Sequence, residues 1–301
     1  MTTISASIVL DSISRAGKRI VTVELTYPRF IHSELMTHRD FSRNAASSRA
    51  IPVKRMIGDI RKNPAIPLFW GKNQKGMQAL EECNELVHIS SLTATEACRR
   101  EDAWIKAMDS ALSFAESFDA AGYHKQVVNR LIEPYMHMRT LVTATEWDNF
   151  FTLRNHKDAE PHFELLAKKI LEAMENSTPK LLDVGEWHLP YITDEDWALF
   201  PPDLIDGGDG YSYNEALVQV IKISVARCAR VSYFDFDGLK PSPLKDEELY
   251  SKLIVSKPMH ASPIEHQAMA MSSILPSRNF RGWKQYREII ESELWQNLQS
   301  S

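Results

Sequence analysis

The chain has 301 residues, 44% hydrophobic and 25% charged, with a formal net charge of -5. That composition fits a globular protein of one large domain or two small ones, and the mild acidity argues against a coat for polymeric nucleic acid or a role at a membrane surface. Cys83, Cys98 and Cys228 are too scattered for a zinc site, no apolar run reaches the length of a membrane span, and the N-terminus lacks a secretory pattern, so a cytoplasmic location is expected.

Residues 4–27 read as two strands around the turn Ser14-Arg15-Ala16-Gly17. Pro28 opens a helix to about Thr37, with Leu35 and Met36 facing the core. From 76 to 120 the pattern is helical, with Leu80, Leu86, Trp104, Met108 and Leu112 inward. Further helices are expected over 124–133, 146–154, 160–176, 213–230, 246–256 and 283–298. Strands are expected over 139–145 and 266–272. The region 178–211 is loop-rich, and its glycine-rich end, 205–211, is the best candidate for a domain boundary.

The densest chemistry lies at Thr37-His38-Arg39-Asp40-Phe41-Ser42-Arg43-Asn44-Ala45-Ala46-Ser47-Ser48-Arg49-Ala50. Guanidiniums offer planar forks to phosphate, and hydroxyls fill the remaining acceptor positions. The stretch from Arg29 to Arg55 holds six Arg or Lys against Glu34 and Asp40, a local +4 suited to a small anion and equally to a solvated basic face. The spacing resembles the signature R-H-R-x-x-S-x-N-E-x-S-x-R-Y of the flavin-dependent thymidylate synthases, the ThyX family. His38, Arg39, Ser42, Asn44, Ser47 and Arg49 match it in register. Thr37, Ala45 and Ala50 stand where the signature has Arg, Glu and Tyr.

Two further segments carry the same resemblance in an unusual order. Arg227-Cys228-Ala229-Arg230-Val231-Ser232-Tyr233, an acidic stretch at Asp246-Glu247-Glu248, and His260-Ala261-Ser262-Pro263-Ile264-Glu265-His266 resemble the block that opens the family's chain. Here that block follows the signature, which implies a circular permutation, an arrangement open to chains whose ends lie close together at the surface. The strand at 267–272 should then share a sheet with 20–27. Taken alone, His266 reads as a buried core histidine. Residues 124–134 and 149–154 resemble the family's nucleotide-binding helices and carry Arg130, Asn149 and Arg154. A helix-terminal cation is the plainer reading of Arg154. Thr143 and Thr145 stand where the family has a flavin-contacting Asn and Arg. Asn279 and Arg281, in a tail with no counterpart in the usual order, are candidates to replace them, and an amphipathic helix with a basic start is the competing reading.

The resemblance implies an α+β fold, a small mixed or antiparallel sheet flanked by long helices. It implies one catalytic domain in which 1–176 holds the signature and long helices, and 212–301 the permuted block. It implies FAD reduced by NADPH, 5,10-methylenetetrahydrofolate as carbon donor, and dUMP as the nucleotide methylated to dTMP. The assembly it implies is a homotetramer with shared active sites. By position, Ser47, Arg49, Arg154 and His266 are catalytic. His38, Arg39, Ser42, Asn44, Asn149, Ser262, Glu265, Asn279 and Arg281 hold cofactor. Glu34, Ser47, Ser48, Arg49, Arg130 and Arg154 hold nucleotide. Two other readings stay open: a relative that acts on dCMP or delivers hydroxymethyl, and a non-catalytic nucleotide-binding protein. No metal site is expected, and nothing in the cysteine positions supports a thiol nucleophile.

Overall fold

The computed structural model describes residues 2–90, 95–200, 212–231, 242–255 and 257–299. The chain opens with a hairpin of β1 (Ser5–Ser14) and β2 (Arg19–Pro28), rich in β-branched residues that suit a pleated surface. Gly17 turns it at φ +80°, a left-handed conformation that glycine adopts without penalty. A 3-10 turn leads into one turn of helix, α1 (His32–Leu35), then a short strand, β3 (Ser42–Ala45). Helix α2 (Val53–Lys62) buries Val53, Met56, Ile57 and Ile60, the i, i+3, i+4, i+7 stripe of an amphipathic helix.

The continuous helix expected over 76–120 is not formed. Strands β4 (Val87–Ser90) and β5 (Thr95–Cys98) make an antiparallel hairpin, and the helix, α3 (Arg100–Ala120), starts only after it. Leu80 and Leu86 are exposed, while Met108 and Leu112 are buried as expected. Alternating β-branched Val87, Ile89 and Thr95 favour the pleated conformation, and no apolar stripe ahead of Arg100 rewards a helix with burial. The helix expected at 124–133 is α4 (Lys125–Val128) followed by two 3-10 turns, the second accommodating Pro134 near its start.

Strand β6 (His137–Ala144), helix α5 (Asp148–Arg154) and helix α6 (Pro161–Glu175) match expectation closely. Pro161 at the first turn and the Glu160 side chain on the Phe163 N–H start α6. There follow β7 (Lys180–Leu182), β8 (Trp187–His188), α7 (Asp194–Trp197), α8 (Tyr213–Arg230) and α9 (Pro243–Tyr250). The Ser212–Glu215 capping box starts α8. The C-terminal part adds β9 (Ala268–Ala270), β10 (Pro276–Ser277), β11 (Phe280–Arg281), β12 (Trp283–Gln285) and α10 (Tyr286–Gln299). The proposed boundary at 205–211, and Ser232 and Tyr233, lie outside the described residues.

The fold is α+β. A five-stranded sheet runs β3-β6-β2-β1-β7, antiparallel except for the β1–β7 pair, and a three-stranded sheet runs β12-β9-β8. The expected sharing of one sheet by 267–272 and 20–27 is corrected. Both edges of β2 are taken by β1 and β6, so β9 pairs with β8 and β12 and meets β2 through side chains. Ile20, Ala268, Ala270, Phe280 and Trp283 form that seam. The main core lies between the large sheet and α2, α3 and α6, and a second lies around α8, α9 and Leu189. Among the described residues no helix is long and apolar enough to cross a membrane.

The second core contains charge. Arg227, 5% exposed, donates to both Asp196 oxygens at 2.7 Å, to the Tyr191 carbonyl at 2.6 Å and to Asp246 at 3.3 Å. Arg230 reaches the other Asp246 oxygen at 3.0 Å. Burial opposes ionisation of Asp196, but bonds from Arg227 and Thr193 outweigh it and hold its pKa at about 2. Removing one partner from such a cluster strands the others, at a cost of about 3–5 kcal/mol. Asp246→Asn should therefore lower the urea midpoint by an amount equivalent to about 3 kcal/mol with the denaturant slope unchanged.

Candidate functional site

The alternation of β3 sends its side chains two ways. Arg43 turns back beneath α1 and donates to the carbonyls of Leu35 (3.2 Å), Met36 (3.0 Å) and His38 (2.9 Å). These carbonyls lie at and just beyond a helix end, where a cation is favoured, and those of Leu35 and His38 also accept backbone N–H groups, so one guanidinium fixes the path of the loop into the signature. Burial lowers the Arg43 pKa. Arg43 was not among the expected site residues, because it occupies an unspecified position of the signature.

Ser42 and Asn44, both buried, face the C-terminal segments. The Asn44 amide donates to the Cys228 carbonyl at 2.9 Å. The Gln285 amide reaches Ser42 Oγ (3.2 Å), Asn279 Oδ1 (2.8 Å) and the Glu265 carbonyl (3.2 Å), and Asn279 Nδ2 donates to the Asp40 carbonyl at 3.1 Å. Three residues expected to hold a flavin, Ser42, Asn44 and Asn279, therefore tie the signature to the segments that follow it by more than 180 residues.

The loop after β3 is pinned from α4 and the turns behind it. Asn129 Nδ2 donates to the carbonyls of Ser48 (2.7 Å) and Ile51 (2.9 Å), Lys125 Nζ to the Ala50 carbonyl (2.7 Å), and Ser48 Oγ to Glu133 (2.6 Å). Arg130 points outward and shares in none of this. Ser48 is thus a loop anchor, and Lys125, Asn129 and Glu133 are supports that the sequence did not disclose.

Held in this way, Ser47 and Arg49 line a cavity of about 420 Å³ whose other wall is His260, Ser262 and Pro263, with Asn44, Gln126, Ala229 and Leu253 at the margins. Among the described residues Arg49 has no protein partner and no carboxylate lines the space. A lone guanidinium with two hydroxyls and an imidazole suits a compact anion attached to a polar ring. A second cavity of the same volume lies under α2, lined by Arg55, Met56, Lys62, His137 and Met138 among others, and contains none of the expected site residues.

The remaining candidates form separate groups that do not line the first cavity. Arg154 donates to Glu34 (2.9 Å) and to His38 Nε2 (3.0 Å) and stacks over the Phe163 ring at 4.7 Å. Burial, and then the neighbouring Arg154 and Arg43, lower the His38 pKa to about 4, so this imidazole accepts as a neutral base. Glu265 pairs with Arg287. Arg39, Asn149 and the Arg281 side chain are exposed, but the Arg281 N–H donates to Thr145 Oγ1 at 3.1 Å, which brings the tail beside the end of β6. His266 is fully buried, with Nδ1 2.8 Å from Thr143 Oγ1 and Nε2 without a partner among the described residues. No described group of side chains could hold a metal ion.

No protein-family model matches this sequence. No curated protein matches it. Its structure is similar to two solved structures of a UMP/dUMP methylase, PolB from Streptomyces cacaoi. The one bound with 5-Br dUMP shows 13% identity and a TM-score of 0.41 over 57% of this chain and 90% of that one. The one bound with 5-Br UMP shows 15% identity and a TM-score of 0.44 over 58% and 89%. Likeness at that level leaves the chemistry of the site to be read from its own residues.

A histidine whose pKa is depressed on folding contributes stability that is present above the unfolded value, near 6.5, and is lost as pH falls through the folded value. For His38 that window runs from about 6.5 down to about 4. Within it, the stability of the wild type relative to His38→Gln should fall by up to about 1.4 kcal/mol per pH unit. Urea titrations of both proteins at stepped pH check this, and parallel curves would refute it.

Proposed function

We propose that the protein is a flavin-dependent enzyme that transfers a one-carbon unit to C5 of a pyrimidine deoxynucleotide, dUMP in the first instance. The observation that carries the reading is the shared cavity wall. Ser47 and Arg49 of the signature face Ser262 and His260 of the later block, about 210 residues along the chain, as the permuted resemblance requires. A volume of about 420 Å³ suits a mononucleotide, small ligand sites starting near 300 Å³.

In this reading Arg49 pairs with the nucleotide phosphate, and the Ser47 and Ser262 hydroxyls orient sugar and base. The ring is activated without a thiol. Cys228 is fully buried, and burial pushes its thiol far above neutral pH, while Cys83 and Cys98 do not line the cavity. The chain offers a fitting donor set for a flavin pyrophosphate. Arg39 and Arg281 are exposed and unpaired among the described residues, and the Asp40–Asn279 hydrogen bond brings them to the same edge. When bound, FAD would supply a hydride derived from NADPH, and methylenetetrahydrofolate would supply the carbon. His38 and Arg154 would fix the edge of that surface, with Glu34 holding the guanidinium in place. Exposed Arg39, Asn149 and Arg281 are available to a second copy of the chain, in line with a homotetramer that shares its sites.

Purified protein should take up FAD with a visible flavin band that NADPH bleaches, and dUMP with methylenetetrahydrofolate should restore it. Product mass separates methyl from hydroxymethyl transfer, and dCMP in parallel tests the base. Arg49→Ala should weaken dUMP binding about 10- to 100-fold, the worth of one charged hydrogen bond. A protein that takes up no FAD and converts neither nucleotide contradicts the proposal.

A further inference from the structure

Beneath the site runs a hydrogen-bonded chain of five buried side chains. Ser12 Oγ meets His188 Nδ1 at 2.9 Å, and His188 Nε2 meets Thr22 Oγ1 at 2.8 Å. Thr22 Oγ1 meets Thr143 Oγ1 at 2.7 Å, and Thr143 Oγ1 meets His266 Nδ1 at 2.8 Å. None of the five is more than 1% exposed. The first four residues come from β1, β8, β2 and β6, and His266 follows the turn at 262–265, so the chain crosses between the two sheets and ends three residues beyond Pro263 of the cavity wall. The only atom in it without a partner is His266 Nε2.

The proton positions in such a chain are not independent. A neutral imidazole has one N–H and one bare nitrogen, and each hydroxyl has a single hydrogen to give. Only two arrangements satisfy all four bonds without leaving an interior hydroxyl hydrogen unused. In the first, Ser12 donates to His188 Nδ1, His188 Nε2–H to Thr22, Thr22 to Thr143, and Thr143 to His266 Nδ1, so that His266 carries its proton on Nε2. In the second, every bond reverses, His266 Nε2 is bare, and the Ser12 hydroxyl hydrogen is left without an acceptor. The first keeps both imidazoles in the intrinsically favoured Nε2–H form. It also gives both bare Nδ1 atoms, the best acceptors in the chain, an O–H donor. The second leaves two groups unmet, the bare His266 Nε2 and the Ser12 hydroxyl hydrogen, where the first leaves only the His266 Nε2–H. Burial lowers both histidine pKa values to about 3, and the neighbouring His266 further disfavours charging of His188, so both stay neutral across the working range.

We propose that Ser12, His188, Thr22 and Thr143 are positioning residues that lock His266 as the neutral Nε2–H tautomer. The lock follows from the buried chain alone.

Histidine-selective ¹⁵N labelling of the full-length protein reads the tautomers directly, with His266→Gln and His188→Gln used to assign the signals. Both imidazoles should show a bare Nδ1 and a protonated Nε2. Thr143→Val, which keeps the volume and deletes the hydroxyl, should replace the single His266 tautomer by averaged signals of two, and Thr143→Ser should restore the single form. An Nδ1–H signal at His266 in the wild type, or an unchanged single tautomer in Thr143→Val, overturns the lock.

Discussion

The structure depends on four residues of edge strand. β3 pairs with β6 from Ser42 opposite Thr143 to Ala45 opposite Thr140. So short a strand at a sheet edge gains little from its ladder alone. It is held by what its side chains do on both faces. Arg43 closes the end of α1, while Ser42 and Asn44 bond to Asn279, Gln285 and the Cys228 carbonyl. These are buried polar groups, each of which costs stability unless it is met, so they fix one register and one docking of the C-terminal segments. A hydrophobic strand in the same place would hold the sheet and leave the later block free to settle elsewhere.

This docking makes the cavity possible. The turn at 262–265 lies against β3, and its first residues face the loop that Asn129 and Lys125 hold open. Polar side chains in the signature thus divide their work. Those pointing inward along β3 join the parts of the chain, and those beyond its end, Ser47 and Arg49, stay available to a ligand. Arg154 and Glu34 neutralise each other in a separate group, and Arg49 is a cation without a carboxylate partner among the described residues at the cavity. A local excess of positive charge in a chain of net charge -5 is consistent with a site for one small anion.

Much of this was readable from local pattern. The strands at 20–27 and 139–145 and the helices at 160–176 and 213–230 have sustained periodicity and a buried face in the fold, and the helices start at caps or prolines. The hairpin at 87–98 was missed because a short segment with few buried residues gives periodicity little to report. That β9 avoids the large sheet depends on whether β2 has a free edge, a fact about other segments. Likewise Arg43, Asn129 and Gln285 act on backbone carbonyls far along the chain, and no residue-type pattern marks a side chain whose partner is a distant carbonyl. The grouping of Ser47 and Arg49 with Ser262 was legible through the order of motifs, whereas the internal bonding of Ser42, Asn44 and Asn279 required the structure.

The central claim is that the signature and the later block build one nucleotide site. A double-mutant cycle on dUMP affinity, with Arg49→Ala, Ser262→Ala and the pair measured by calorimetry, tests it most directly. Residues that share a ligand should couple by more than about 0.5 kcal/mol, whereas independent sites add within about 0.3–0.5 kcal/mol. Non-additive losses are the predicted result. Additive losses, an inert Ser262→Ala, or no dUMP binding by the wild type would contradict the account.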